Sequence, residues 1–315
     1  MNYSKSLFSF PLVILLPALA LSVSAAQQQS APPPASPWSN SGLPPAERRV
    51  TVQENIPYGS VNGEPLVLDV YAPAENGKET RPAVILIHGG GWTAFDKGTM
   101  HGMGDLLARA GYVAFSVDYR LFNDKDMQNR WPAQLDDVQR AVRWVRANAS
   151  KYDVDPERIG AFGHSAGAQL AALLGMEDTV DNSDAALAQY SSKVEAVVDV
   201  SGPTDFTVDR DSDGAAFLGN FLGASYTKEP AAWREASPVF HVSKSDAPFL
   251  IVHGTHDETV PIAQAQELYE KLKSVGVPVA FVKIEGGHTF TALDARKQLA
   301  VDTVAFFDHY LHPAR

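Results

Sequence analysis

The chain has 315 residues and no cysteine. That absence removes disulfides, thiolate metal sites and a cysteine nucleophile together, so stability has to come from packing. Positive charge is also scarce. With 26 Lys and Arg against 37 Asp and Glu, the formal net charge is -11 and no long basic cluster occurs, so the electrostatic footprint of a nucleic-acid-binding protein is missing. No internal repeat recurs at solenoid or propeller periods. The one apolar run that approaches membrane-spanning length is Leu7 through Val23. That run follows Lys5, precedes Ser24, Ala25 and Ala26, and is interrupted by Pro11 and Pro17, which fits a secretory leader cleaved after Ala26 better than a span of ~20 apolar residues.

The expected organisation is a leader over residues 1–26, a Pro- and Ser-rich flexible linker over residues 27–46, and a catalytic domain over residues 47–315. The linker, "QQQSAPPPASPWSNSGLPP", is too poor in aliphatic residues to offset its ordering entropy. The leader implies a periplasmic or secreted protein without stable membrane insertion after cleavage.

What the domain has in plenty is buried-strand sequence. "RVTVQENI" and "LVLDVYAP" are β-rich runs separated by the turn-rich "PYGSVNGEP", a hairpin-like start. Six nearly continuous apolar runs then follow, among them "AVILIHGGG", "RIGAFGHS" and "PFLIVHGTHD". Runs of that kind suit strands covered on both faces, hence a parallel sheet. Between them, Leu135, Val138, Val142 and Val145 recur at helical spacing, "PIAQAQELYEKLKSVG" closes on Gly276, and "TALDARKQLAVDTVAFFDHYL" precedes the C-terminus. The alternation predicts an α/β fold, a doubly wound, mostly parallel sheet with helices on both faces, whose ligands sit beyond the carboxyl ends of the strands.

Candidate chemistry is sought at those ends. "FGHSAGAQL" sets Ser165 between a strand and a helix, with Gly163 and Gly167 leaving room for a sharp turn; an innocent turn is the competing reading. A serine is nucleophilic only when a base takes its proton and an acid orients that base. His288, on the glycine-rich loop after the last strand, is the expected base. His253 lies in a strand and His256 on a loop without a comparable supporting turn. Asp257, in "HGTHDETVP", is the expected acid, with support of the following helix as its plainer use and Asp199 and Asp205 as rivals. "HGGGW" after the strand "AVILI" can turn amides inward, so Gly90, Gly91 and the N–H of Ala166 are the expected oxyanion donors, with His88 structural.

With "HGGGW", "VDYRL", "GHSAGAQLAALLG", "PFLIVHGTHDETVP" and "GGHTF" in chain order, the sequence from about residue 60 onward resembles the α/β-hydrolase superfamily. The resemblance is to secreted carboxylesterases related to hormone-sensitive lipase-like and acetylxylan/feruloyl esterases. It implies Ser165 as nucleophile, Asp257 as acid, His288 as base, an oxyanion hole of Gly90, Gly91 and Ala166, and Trp92 as an aromatic that shapes the substrate pocket. Ala168 departs from the pattern, since many relatives carry glycine there. The resemblance also implies a small cap over residues 202–240. There Phe206, Phe217, Phe221 and Trp233 are read mostly as the cap's own core. No cofactor and no metal are expected, and the partner is a small ester or an acylated carbohydrate. Competing functions are a prolyl-oligopeptidase-like peptidase, for which no propeller-sized segment is present, a non-catalytic binding module on the same scaffold, and formamide hydrolysis, which export disfavours.

Overall fold

In the computed structural model, which describes residues 48–75, 80–179, 184–209 and 214–311, the β-rich and apolar runs all become strands of one sheet. The leader and linker read over residues 1–46 lie outside the described residues. The strands are β1 (Val50–Val61), β2 (Glu64–Pro73), β3 (Arg81–Ile87), β4 (Val113–Val117), β5 (Val154–His164), β6 (Ala196–Val200), β7 (Phe249–Gly254) and β8 (Val279–Ile284). They lie in the order β1-β2-β4-β3-β5-β6-β7-β8. β2 pairs antiparallel with β1 and β4, and every pairing from β4 through β8 is parallel.

The hairpin is tighter than its composition suggests. β1 runs through Pro57 and Gly59 to Val61, and the reversal is only Asn62–Gly63, at φ 52° and 86°. Asn-Gly is the pair that adopts two successive positive φ values most readily, and its twist matches that of the flanking strands. Pro57 is tolerated because β1 is an edge strand with a register shift between Pro57 and Gly59.

Seven α-helices are found among the described residues: α1 (His101–Ala110), α2 (Ala133–Ala147), α3 (Ala166–Met176), α4 (Ala215–Leu222), α5 (Pro230–Glu235), α6 (Ile262–Ser274) and α7 (Leu293–Leu311). The two-residue period of a strand sends alternate side chains to opposite faces, and β3 divides accordingly. Ala83, Ile85 and Ile87 join a core with Leu170, Leu173 and Leu268 of α3 and α6, whereas Val84 and Leu86 join a second core with Leu107, Phe306 and Phe307 of α1 and α7. The sheet is therefore covered on both faces, as the unbroken apolar runs require. No helix among the described residues is long and apolar enough to cross a membrane.

Between β6 and β7 the chain forms a small cap containing α4 and α5. Its interior is aromatic: Phe206, Phe221 and Trp233 are fully or almost fully buried, while Phe217 is half-buried. Trp233 Nε1 donates to Ala224 O at 2.9 Å, and Ser237 Oγ, accepting from Phe206 N at 2.9 Å, donates to Trp233 O at 2.6 Å. These bonds satisfy the polar groups that the cap buries.

Candidate active site

The parallel strands β3, β5, β6, β7 and β8 end at one edge of the sheet, and each predicted site residue follows one of these ends. Ser165 leaves β5 with φ 56° and ψ −124°, a conformation that L-residues rarely adopt, and its N–H is held by Val200 O at 2.8 Å. Gly163 and Gly167 make the crossing from β5 to α3 close rather than left-handed. A Cβ on Gly163 would lie 2.1 Å from Gly167 O, and one on Gly167 would lie 2.2 Å from Ile87 O.

The loops after β7 and β8 are laced together by backbone bonds. Thr255 N–H donates to Ile284 O at 2.9 Å and His256 N–H to Gly286 O at 2.8 Å. This brings Asp257 against His288, whose Nδ1 is 2.8 Å from Asp257 Oδ2 while its Nε2 is 2.8 Å from Ser165 Oγ. The other carboxylate oxygen of Asp257 accepts the N–H groups of Thr259 at 2.9 Å and Val260 at 2.8 Å, which fixes the turn before α6, while the helix itself starts at Ile262 with no side-chain cap, so the plainer helix-supporting use does not occur as a capping bond. Burial works to raise this carboxyl's pKa, but the bonds from Val260, His288 and Thr259 prevail and hold it below the ordinary carboxylate value. Asp257 is thus an anion placed to orient an imidazole and to stabilise its charged form.

The rivals are occupied elsewhere. Asp199 lies inside β6, Asp205 accepts from Thr207 at both its N–H and its hydroxyl, and the exposed His256 faces Glu285 at 3.3 Å. His253 is packed in β7 as expected, yet it also serves the acid. Its Nε2 donates to Val260 O at 2.8 Å and lies 3.2 Å from Asp257 Oδ2. Burial pushes its pKa down, in keeping with a neutral ring whose buried Nδ1 has no partner among the described residues.

The glycine loop runs directly beside the serine, since a Cβ on Gly89 would sit 3.2 Å from Ser165 Cβ. Gly90 has φ 104° and passes under Ala94 and Phe95, a path that a side chain would block. The N–H groups of Gly90, Gly91 and Ala166 have no protein acceptor among the described residues. Amides in this state suit an anionic oxygen.

Three supporting residues are not evident from the motifs. His164 Nε2 donates to the backbone carbonyl of His288 at 3.0 Å, tying the serine's strand to the histidine's loop. Tyr119 donates to His88 O at 3.0 Å and Gly89 O at 3.3 Å, and its ring stacks on His88 at 4.2 Å. Gln169 accepts from Trp92 Nε1 at 3.1 Å and donates to Ala236 O at 2.8 Å, linking glycine loop, α3 and cap. Their sequence signal is proximity alone: His164 precedes the serine, Gln169 follows it by four residues, and Tyr119 ends an apolar run.

Trp92 differs from the expectation of a substrate-contacting residue. It is 5 % exposed, stacked on Phe221 at 4.6 Å and edge-on to Phe206 at 5.5 Å. Its ring packs the glycine loop against the cap, because an indole whose N–H is already bonded to Gln169 gains most by complete burial among aromatics. Among the described residues no His, Asp and Glu group is arranged to hold a metal ion.

Comparison with known proteins agrees with this architecture. The BD-FAE family profile matches residues 68–272. Esterase LipC of Mycobacterium tuberculosis is 31% identical over 278 residues, which cover 85% of this chain and 67% of that protein. A truncated carbohydrate esterase from gut microbiota superposes with a TM-score of 0.70 at 29% identity, covering 85% of this chain and 99% of that one. The butyrate-bound esterase 2 of Thermogutta terrifontis superposes with a TM-score of 0.69 at 26% identity, covering 85% and 96% of the two chains. That esterase is also known phosphoramylated by tabun. The chain spans about half to two thirds of the length of three curated relatives that it matches.

Proposed function

The chain belongs to the BD-FAE family of α/β-hydrolase esterases, and from that premise we propose that it hydrolyses short-chain carboxylic esters through an acyl-enzyme on Ser165. The observation that carries this reading is the unbroken relay from Asp257 Oδ2 to His288 Nδ1 and from His288 Nε2 to Ser165 Oγ, each contact 2.8 Å. In the proposed cycle His288 Nε2 takes the Ser165 proton as Oγ bonds to the ester carbonyl carbon. The carbonyl electrons move onto an oxygen facing Gly90, Gly91 and Ala166. The tetrahedral species then collapses, the alkoxide takes the proton from His288, and the alcohol departs. Water, deprotonated by the same imidazole, attacks the acyl-enzyme; the second tetrahedral species collapses, Ser165 Oγ takes the proton back from His288 as its bond to the acyl carbon breaks, and the carboxylic acid leaves.

Acetyl or feruloyl esters of plant-wall carbohydrate are the substrates we favour, a choice supported by the carbohydrate esterase among the structural relatives. Short acyl groups are expected because, among the described residues, no long exposed apolar run is available as an interfacial lid. The discriminating experiment is a panel of p-nitrophenyl esters from acetate to palmitate, with methyl ferulate and acetylated xylan beside it. Acetate and butyrate are expected to be cleaved far faster than palmitate. An activity jump when long-chain ester emulsifies would instead identify a lipase. We further propose export, to be tested by N-terminal sequencing of the protein from a native-type host, with Gln27 as the expected first residue.

A further inference from the structure

We propose that His253 is a positioning residue of the ester-hydrolase site: its Nε2–H edge shares the Asp257 carboxylate with His288, weakens the hold of that carboxylate on a charged His288, and so extends the reaction toward lower pH. The inference rests on the ester-hydrolase reading above and adds to it what sets the working pH range.

The need for such a residue follows from the chemistry. An imidazole beside a bare, buried carboxylate is held in its charged form, and a charged imidazole cannot accept the serine proton. Each donor that the carboxylate shares lowers its pull on the imidazolium. The Asp257 side chain is fully buried, so bulk water supplies none of this sharing.

The strand β7 supplies it instead. His253 is the penultimate residue of that strand, four places before Asp257, and both side chains are fully buried. Its Nε2 lies 2.8 Å from Val260 O and 3.2 Å from Asp257 Oδ2, the same oxygen that His288 Nδ1 approaches to 2.8 Å. That oxygen faces two imidazole edges, while Oδ1 is taken up by the N–H groups of Thr259 and Val260. Val260 is gripped at both ends, since its N–H bonds to Asp257 and its carbonyl accepts from His253. Strand, turn and acid form one bonded unit that contains a second imidazole.

The protonation state of His253 follows from its partners. Val260 O can only accept, so Nε2 carries the hydrogen. The buried Nδ1 has no partner among the described residues, and a proton there would add an unpaired donor and a charge to the core. Burial pushes the pKa of this ring down, in the same sense. His253 is therefore a neutral donor whose positive edge lies beside Oδ2. On β5, His164 faces the pair through the His288 carbonyl, and burial pushes its pKa down too. On β8, the register partner Lys283 is exposed and sits over the Phe281 ring. On β6, the Asp199 carboxyl, opposite Ile251, is pushed up to about 7. His256, Glu258 and Glu285 are exposed. All of these are common to the wild type and to variants at position 253, so a difference between those proteins reports His253 itself.

The test follows kcat/KM for p-nitrophenyl acetate against pH in the wild type, in His253→Leu, which removes the donor, and in His253→Gln, whose amide keeps a donor at similar reach. In His253→Leu the midpoint of the rising limb is expected to move up by about half a pH unit, about a threefold loss of rate on that limb, with KM within about twofold. In His253→Gln the midpoint is expected to stay within about 0.2 pH units of wild type, because the amide N–H replaces the lost donor. A midpoint unchanged or lowered in His253→Leu, or raised equally in His253→Gln, overturns the proposal and leaves a histidine that only packs the turn. The ring-nitrogen NMR shifts of isotope-labelled wild type need no variant to fold. They are expected to show His253 as the neutral Nε2–H tautomer from about pH 5 to about pH 9, and a charged ring or an Nδ1–H tautomer in that range also overturns the proposal. Failure of the wild type to cleave the ester overturns the ester-hydrolase reading itself, an outcome distinct from an active wild type whose midpoint His253→Leu does not raise.

Discussion

Ser165 is held at a backbone conformation costing of order 1–3 kcal/mol, and β5, α3 and the bond to Val200 O are what keep it there. Removal of its hydroxyl is expected to cost roughly a millionfold in kcat, His288→Ala about as much, and Asp257→Ala about a hundredfold less, because the three act as a unit. Tyr119 offers a finer test. Its phenol, kept protonated by burial, holds the Gly89 carbonyl, and in a trans peptide the N–H of Gly90 must then point the opposite way. Tyr119→Phe should lower kcat about tenfold with KM within about twofold, the pattern of a donor misaligned only for the developing oxyanion. A raised KM with unchanged kcat in steady-state assays would place Tyr119 in substrate binding instead. The residues at Ser165, Asp257 and His288 were legible in the sequence because each follows a buried strand with a short, distinctive turn. Tyr119, His164 and Gln169 were not, since each acts through a hydrogen bond across 31 to 124 positions that no local pattern records.

At the scale of elements, the β5–α3 crossing is the tightest part of the site. Gly163→Ala should lower Tm by about 5 °C or more in thermal unfolding and remove most of the activity, because its Cβ would meet the Gly167 carbonyl at 2.1 Å and only a shift of α3 relieves the clash. An unchanged Tm with full activity would mean that the crossing is looser than this packing implies. The strands were readable because burial on both faces writes long apolar runs. α1 was harder to read, since Gly102 and Gly104 weaken its helical signal. Gly104 is there because a Cβ would lie 2.6 Å from Tyr71, a contact set by the neighbouring strand. The length of β1 was hidden for the opposite reason: Pro57 and Gly59 look like a turn in sequence and become an edge strand only once β2 supplies a partner.

Across the whole molecule, Asp199 gives the clearest pH signature of the fold. Burial in β6 pushes its carboxyl up to about 7 despite the bond from Gly202 N–H, whereas in the unfolded chain an aspartate titrates near ~3.9. Between those values the unfolded chain gives up a proton that the folded chain retains, so Asp199 contributes stability at low pH that is lost as pH rises to about 7. Asp199→Asn removes this dependence, and its Tm relative to wild type should climb between pH 5 and pH 8. The shifts of His88, His164 and His253, all pushed down by burial, have the opposite sign but cancel in that difference. A constant offset between the two proteins would show that Asp199 is ionised throughout. The central claim, that one serine in the entire chain is activated by the Asp257–His288 pair, is tested most directly by treating the protein with a fluorophosphonate and measuring its intact mass, followed by peptide mapping. One adduct per chain, on Ser165 and lost in both Ser165→Ala and His288→Ala, is the expected result. An adduct on another serine, with esterase activity surviving in Ser165→Ala, would contradict the account.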